Sequence, residues 1–172
     1  MQVLLDGPGI ERALERLAEE IERQIPPGVP VGVIGIRSRG DVLAARLIRR
    51  LCRAGLSDVA HGALDITLYR DDLAEKGPAA ILQKTEIDFD INGRYIVLVD
   101  DVLYTGRSVR AALDALADLG RPVAIRLAVL VDRPGRELPI QADFVGLKVD
   151  RLEQTVNVRL RETDGVDRVE VA

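Results

Sequence analysis

The sequence has one cysteine and one histidine in 172 residues. A single thiol excludes an intramolecular disulfide and fits a reducing compartment. Cys52 lies in LIRRLCRAG, on the apolar side of an expected helix, and reads as a packed small side chain rather than a catalytic thiol. One histidine and one cysteine cannot furnish a zinc site. His61 carries no local sign of catalysis and reads as a surface or strand-start residue. No apolar run approaches membrane-spanning length and no signal peptide is visible, so a cytoplasmic protein without membrane partners is expected. Excess positive charge is also lacking. The net charge is −4, so whole-molecule attraction to RNA or DNA is not expected, though a local basic patch is allowed.

What is present is ordinary for a globular protein: 30% charged and 47% apolar residues, in a chain long enough for a single domain over 1–172 with a real core. Ile10, Leu14, Leu17 and Ile21 recur at helical spacing over 9–25, stopped by Pro26, Pro27 and Gly28. A buried strand is expected at 30–36, a tight junction at Arg37–Gly40, and a helix over DVLAARLIRRLCRAG. GALDITLYRDD reads as a strand through Tyr69, then turns irregular through LAEKGPAA, with residues 80–87 as a hairpin arm. A turn at 92–94 leads to a strand at 95–99. A helix over SVRAALDALADLG and an apolar strand at 123–131 follow. The tail, TVNVRL and VDRVEV about a DG turn, reads as antiparallel strands. Short apolar strands alternating with helices imply an α/β fold: a mostly parallel sheet covered on both faces.

Within this order, YIVLVDDVLYTGRS (95–108) carries the chemistry. Ligands of open α/β sheets sit beyond the carboxyl ends of the strands. Asp100 and Asp101 fall at such an end, and Thr105 to Ser108 lead into a helix whose first amides suit a phosphate. Gly106 allows close approach; Thr105 and Ser108 add hydroxyls. A plain loop and helix cap explains one such residue well and two successive carboxylates poorly. Acids for hydroxyls beside a phosphate cradle match a ribose 5-phosphate. GIRSRG (35–40) offers two arginines, a serine and free amides at another strand-to-helix junction.

YIVLVDDVLYTGRSVRAALDAL resembles the phosphoribosyl diphosphate signature of type I phosphoribosyltransferases. GALDITLYRDDL, GRPVAIRLAVLVDR and RELPI narrow the resemblance to the bacterial pyrimidine-operon attenuators. It runs from about residue 4 to the C-terminus. It implies the type I phosphoribosyltransferase fold with a flexible loop or hairpin and a small hood. It also implies a uracil phosphoribosyltransferase that makes UMP and diphosphate and binds pyrimidine-operon leader RNA. Tyr104 stands where purine enzymes usually have an acid, which agrees with a pyrimidine substrate.

The resemblance assigns roles residue by residue. Asp100 and Asp101 would hold the ribose hydroxyls, and Val102, Leu103, Tyr104, Thr105, Gly106, Arg107 and Ser108 the phosphoribosyl group. Arg37, Ser38, Arg39 and Gly40 would form the diphosphate loop. LYRDDLAEK (68–76) would be the flexible loop, with Arg70 reaching the diphosphate and Tyr69 sealing the site. Asp132 would meet Mg²⁺ through water, and Phe144 and Val145 would border the base. Arg12, Arg16, Arg23, Arg133, Arg136 and Lys148 would face RNA. Self-association as a dimer or tetramer is implied too. The chain departs from the family pattern at Leu147, with its lysine displaced to Lys148, and at Pro134 and Gly135, where Gly-His is usual. Three readings stay open: a bifunctional protein, an enzyme without RNA regulation, and a nucleotide-sensing RNA-binding regulator.

Overall fold

A computed structural model gives the structure of the protein and describes residues 1–71, 85–151 and 153–172. The elements are β1 (Gln2–Leu5), α1 (Gly7–Gln24), β2 (Val31–Ile36), α2 (Gly40–Arg53), β3 (Val59–Leu64), a 3₁₀ turn (Thr67–Tyr69), β4 (Tyr95–Leu103), α3 (Arg107–Leu119), β5 (Ala124–Asp132), β6 (Phe144–Lys148), β7 (Val156–Arg159), the one-turn helix α4 (Arg161–Asp164) and β8 (Arg168–Val171). Five strands form a parallel sheet in the order β3-β2-β4-β5-β6. A second, antiparallel sheet has the order β1-β8-β7.

The unbroken apolar strands follow from cover on both faces. Along β4, Tyr95, Val97 and Val99 enter one core, while Ile96 and Leu98 enter the other. The first core is closed by Ile10, Leu14, Leu17 and Ile21 of α1, by Leu43, Leu47 and Leu51 of α2, and by the small sheet. The second is closed by Val109, Ala112 and Leu116 of α3. Asp6 caps α1, its carboxylate accepting from Gly9 N at 2.8 Å, and a proline sits in the first turn.

Some boundaries differ from expectation. β3 stops at Leu64 rather than Tyr69, because the Asp65 carboxylate accepts from both the amide (3.0 Å) and hydroxyl (2.6 Å) of Thr67 and turns the chain. Of the expected hairpin arm, residues 80–84 lie outside the described residues; Glu86 makes an antiparallel bridge to Ala63. Cys52 is exposed rather than packed, since Leu47 and Leu51 take the buried line of α2. β4 continues through the two aspartates to Leu103.

An ionic cluster ties the layers together. The buried Arg46 guanidinium binds Asp167 (2.7 and 3.1 Å) and Glu162 (2.7 and 3.1 Å), and reaches Glu11 at 3.3 Å. Arg50 bridges to Glu11 and Glu15 of α1. The arginines of α2 thus fasten α1 and the connection between β7 and β8. Among the described residues, no helix is long and apolar enough to cross a membrane.

Candidate active site

The carboxyl ends of β2, β4, β5 and β6 lie along one edge of the parallel sheet, and four sequence segments meet there. At the centre, Asp100 is buried and Asp101 half-buried. Asp100 Oδ1 accepts from Asp101 N at 2.9 Å, and Asp101 Oδ1 from Val102 N at 2.8 Å. Burial, then the neighbouring Asp101 charge, holds the Asp100 pKa well above the usual carboxylate range. Burial raises Asp101 too, opposed by its hydrogen bonds and by Arg39. The pair is destabilised as two anions.

The chain then turns through Thr105 to Gly106, which N-caps α3 at φ 93°. That left-handed conformation suits glycine. Thr105 Oγ1 accepts from Arg107 N at 3.2 Å, and Ser108 is exposed in the first turn. Arg107 bonds Asp71 (2.5 Å) and Glu137 (3.2 Å). Val102 and Leu103 contribute backbone only, their side chains packing in the two cores.

The loop after β2 approaches from the side. A Cβ at Gly40 would come within 2.5 Å of the Val99 carbonyl oxygen, so only glycine lets the loop backbone rest on β4 beside Asp100. The Arg37–Ser38 peptide is cis and Arg39 has φ 71°. Ser38 is exposed. This tight path separates the two arginines. Arg39 turns toward Asp101, and both line a cavity of about 380 Å³ closed by Val156–Arg159 and Asp164. Arg37 turns outward to Asp41 (3.0 Å) and Glu86 (3.7 Å), beside His61. Asp164, absent from the sequence-based assignment, holds Arg39 in a two-pronged pair (2.7 and 3.1 Å). The Arg39 hydrogen bond draws the Asp164 pKa down.

A third group surrounds the ends of β5 and β6. Asp132 and Lys148 are register partners and line a cavity of about 340 Å³ with Arg133, Pro134, Arg136, Ile140 and Asp150. Leu147 packs toward the α1 side, so the displaced lysine reaches this cavity. Phe144 does not border it: the ring is 1% exposed in the core under α1, because the strand runs on to Lys148 before it ends. Val145 likewise lies mid-strand, packed against the other core.

Several other expectations change. Tyr69 does not face the strand ends; its hydroxyl donates to Asp118 at 2.7 Å, near the far end of α3. Arg70 is half-buried just past the 3₁₀ turn, and most of LYRDDLAEK lies outside the described residues. Arg133, expected to face RNA, is buried, its guanidinium stacked 4.0 Å from the Tyr104 ring centroid. Arg136 is also turned inward, with Asp132 Oδ1 at 2.5 Å. Arg16 is exposed overall but donates to the Gly146 carbonyl. Arg12, Arg23 and Lys148 are exposed. Among the described residues, no group of three His, Cys, Asp or Glu side chains could hold a metal ion.

Paired acids at the end of the central parallel strand, a glycine-opened helix start beside them and an arginine-bearing loop define the class, a phosphoribosyltransferase of the type I fold. A family model for the phosphoribosyl transferase domain matches residues 2–162. The fold is similar to that of Trypanosoma cruzi hypoxanthine phosphoribosyltransferase (TM-score 0.76, 20% identity, 98% of this chain and 93% of that one). It is also similar to Bacillus anthracis hypoxanthine-guanine phosphoribosyltransferase (TM-score 0.72, 23% identity, 91% and 86%). By sequence, the chain is 55% identical to the bifunctional protein PyrR of Chloroflexus aurantiacus, over 96% of this chain and 92% of that protein. It is 52% identical to the PyrR proteins of Deinococcus deserti (98% and 92%) and Thermus thermophilus (98% and 93%). The chain belongs to the PyrR family.

Proposed function

We propose that this protein transfers the phosphoribosyl group of 5-phosphoribosyl diphosphate to uracil, and that UMP bound in the same site promotes binding to pyrimidine-operon leader RNA. Family membership supports phosphoribosyl transfer and pyrimidine-operon attenuation. The observation that carries the phosphoribosyl part of this reading is the meeting of Asp100 and Asp101 with the start of α3 at the end of β4; the base and the RNA rest on the likeness to the PyrR proteins.

The ribose hydroxyls donate to the carboxylates of Asp100 and Asp101, which relieves their mutual repulsion. The 5-phosphate sits on the amides of Gly106 to Ser108, with the Thr105 and Ser108 hydroxyls. Arg39 trades Asp164 for the diphosphate, and Arg70 approaches from the loop edge. Arg37 acts from the outer side of the loop. Uracil occupies the cavity between Asp132 and Lys148. Its N1 forms a bond to C1 of the ribose as the C1–O bond to diphosphate breaks. That electron pair leaves with the diphosphate, and the N1 proton passes to a diphosphate oxygen. Positioning alone can supply about 7–11 kcal/mol at the extreme, and preorganised cations lower the barrier further.

Mg²⁺ fits this donor set only as an ion carried by the ligand's own oxygens and water, with Asp132 an outer partner; it would supply neutralisation of the leaving diphosphate. The RNA face is reduced to the exposed Arg12, Arg16, Arg23 and Lys148.

The test is to supply 5-phosphoribosyl diphosphate, Mg²⁺ and uracil and to assay UMP and diphosphate. Turnover is expected, and none with uracil sinks the transferase reading. Binding to the cognate leader RNA is expected to tighten with UMP. Equal binding to unrelated RNA rejects the regulatory half.

A further inference from the structure

Residues 133–140 and 103–106 face each other across the candidate site, and one side chain binds both. Arg136 lies between them with five acceptors: Ile140 O at 2.8 Å, Tyr104 O at 2.8 Å, Arg133 O at 3.0 Å, Leu103 O at 3.4 Å and Asp132 Oδ1 at 2.5 Å. Backbone bonds run alongside: Arg133 N to Leu103 O (3.1 Å), and Glu137 N and Leu138 N to Thr105 O (3.0 and 3.2 Å). The same segments touch at Gly106, where a Cβ would come within 3.3 Å of Ile140 Cβ. The planar guanidinium fork satisfies carbonyls in several directions at once, which a lysine ammonium cannot reproduce.

We infer that Arg136 is a positioning residue for the transfer, joining the segment that follows the ribose acids to the segment that walls the base cavity and aiming the Asp132 carboxylate into it. Arg136 touches the reacting atoms only through these groups. One Asp132 oxygen is held by the fork, which leaves the other for the base side. Because Leu103 and Tyr104 follow closely on Asp101, a shift of the 133–140 segment moves the base relative to the ribose carbon. Displacements of about 1 Å away from the chemistry can cost on the order of 100-fold in rate. The phosphate cradle on α3 is built from the amides of Gly106 to Ser108, and Arg136 bonds none of those residues directly. The loss therefore falls more on the base than on the phosphoribosyl donor.

This inference rests on uracil using the 340 Å³ cavity, and the experiment separates the two. Arg136→Lys and Arg136→Ala are compared with the wild type in steady-state transfer, UMP calorimetry and RNA titration. In both variants kcat is expected to fall about 100-fold and the uracil KM to rise about tenfold, while the KM for the phosphoribosyl donor stays within about threefold. Free guanidinium ion should restore part of the Arg136→Ala rate, which a general loss of folding would not allow. Should Arg136→Ala not fold, Arg136→Lys carries the test alone. Wild-type kinetics in Arg136→Lys overturn the inference. So does loss of RNA affinity with turnover and uracil KM unchanged, which would return Arg136 to an RNA-facing role. A wild type that turns over no uracil defeats the transferase reading instead. UMP affinity then decides: weakened binding in Arg136→Lys sustains the positioning role, and unchanged binding overturns it.

Discussion

At the residue scale the main tension is between Asp100 and Asp101. Two adjacent carboxylates at a strand end were legible from sequence because their meaning is local: the strand ends there and a helix starts. Their energetic state was not legible, because it depends on burial. A carboxyl group whose folded pKa is raised favours the protonated form, so its burden on stability is absent below the unfolded value, about 3.9, and grows as pH rises to the folded value. Asp100→Asn is therefore expected to stabilise the protein by about 1 kcal/mol at neutral pH, and by less near pH 4. Urea melts at the two pH values check this; an equal gap at both would contradict the assignment of Asp100. Asp101→Asn should lower turnover about 100-fold while the protein stays folded, since a carboxylate partner of the ribose is lost. Gly135 is a second case. With φ 125° and a would-be Cβ 2.3 Å from Tyr104 Cε1, it has room for no side chain while Tyr104 stacks on Arg133. Gly135→Ala should destabilise by about 1–3 kcal/mol. The same change in a Tyr104→Ala background should cost less, and thermal melts of the cycle measure the difference.

At the element scale, patterning located the three long helices and four of the five parallel strands within about five residues, because both sheet faces are buried and the apolar runs are continuous; it named no strand at β6. It missed what depends on distant partners. β1 is a four-residue strand with meaning only beside β8. Nothing in the α2 sequence pattern marked its arginines, yet Arg46 is 4% exposed inside its carboxylate cluster. Removing Arg46 strands Asp167 in that cluster, so Arg46→Ala should cost about 3–5 kcal/mol, measured by denaturant unfolding at neutral pH. Burial alone would raise the Asp167 pKa, but the hydrogen bond from Arg46 and the amide of Arg161 outweigh it and lower it. A lowered folded pKa gives stability that is full above the unfolded value and lost as pH falls through the folded one. The cost of Arg46→Ala should accordingly shrink in acid.

At the scale of the whole molecule, charge counting misled in one respect. Arg133 and Arg136 are drawn into the site region, which leaves Arg12, Arg16, Arg23 and Lys148 of the RNA-facing candidates exposed on a chain of net charge −4. Each phosphate neutralised contributes about 0.7–0.9 to the slope of log affinity against log salt. Leader-RNA binding is therefore expected to show a shallow slope, no steeper than about −4, with base contacts supplying the rest. A much steeper slope would bring in further exposed arginines, such as Arg49, Arg53 and Arg110.

The pairing of β1 with β8 also has a consequence during synthesis. Residues 2–5 are synthesised more than 160 residues ahead of their strand partner at 168–171. Until then the small sheet stays open, Asp164 is not in place and Arg39 lacks its holder. Nascent chains thus carry the Gly106 start of α3 without the Asp164-held Arg39 beside Asp101.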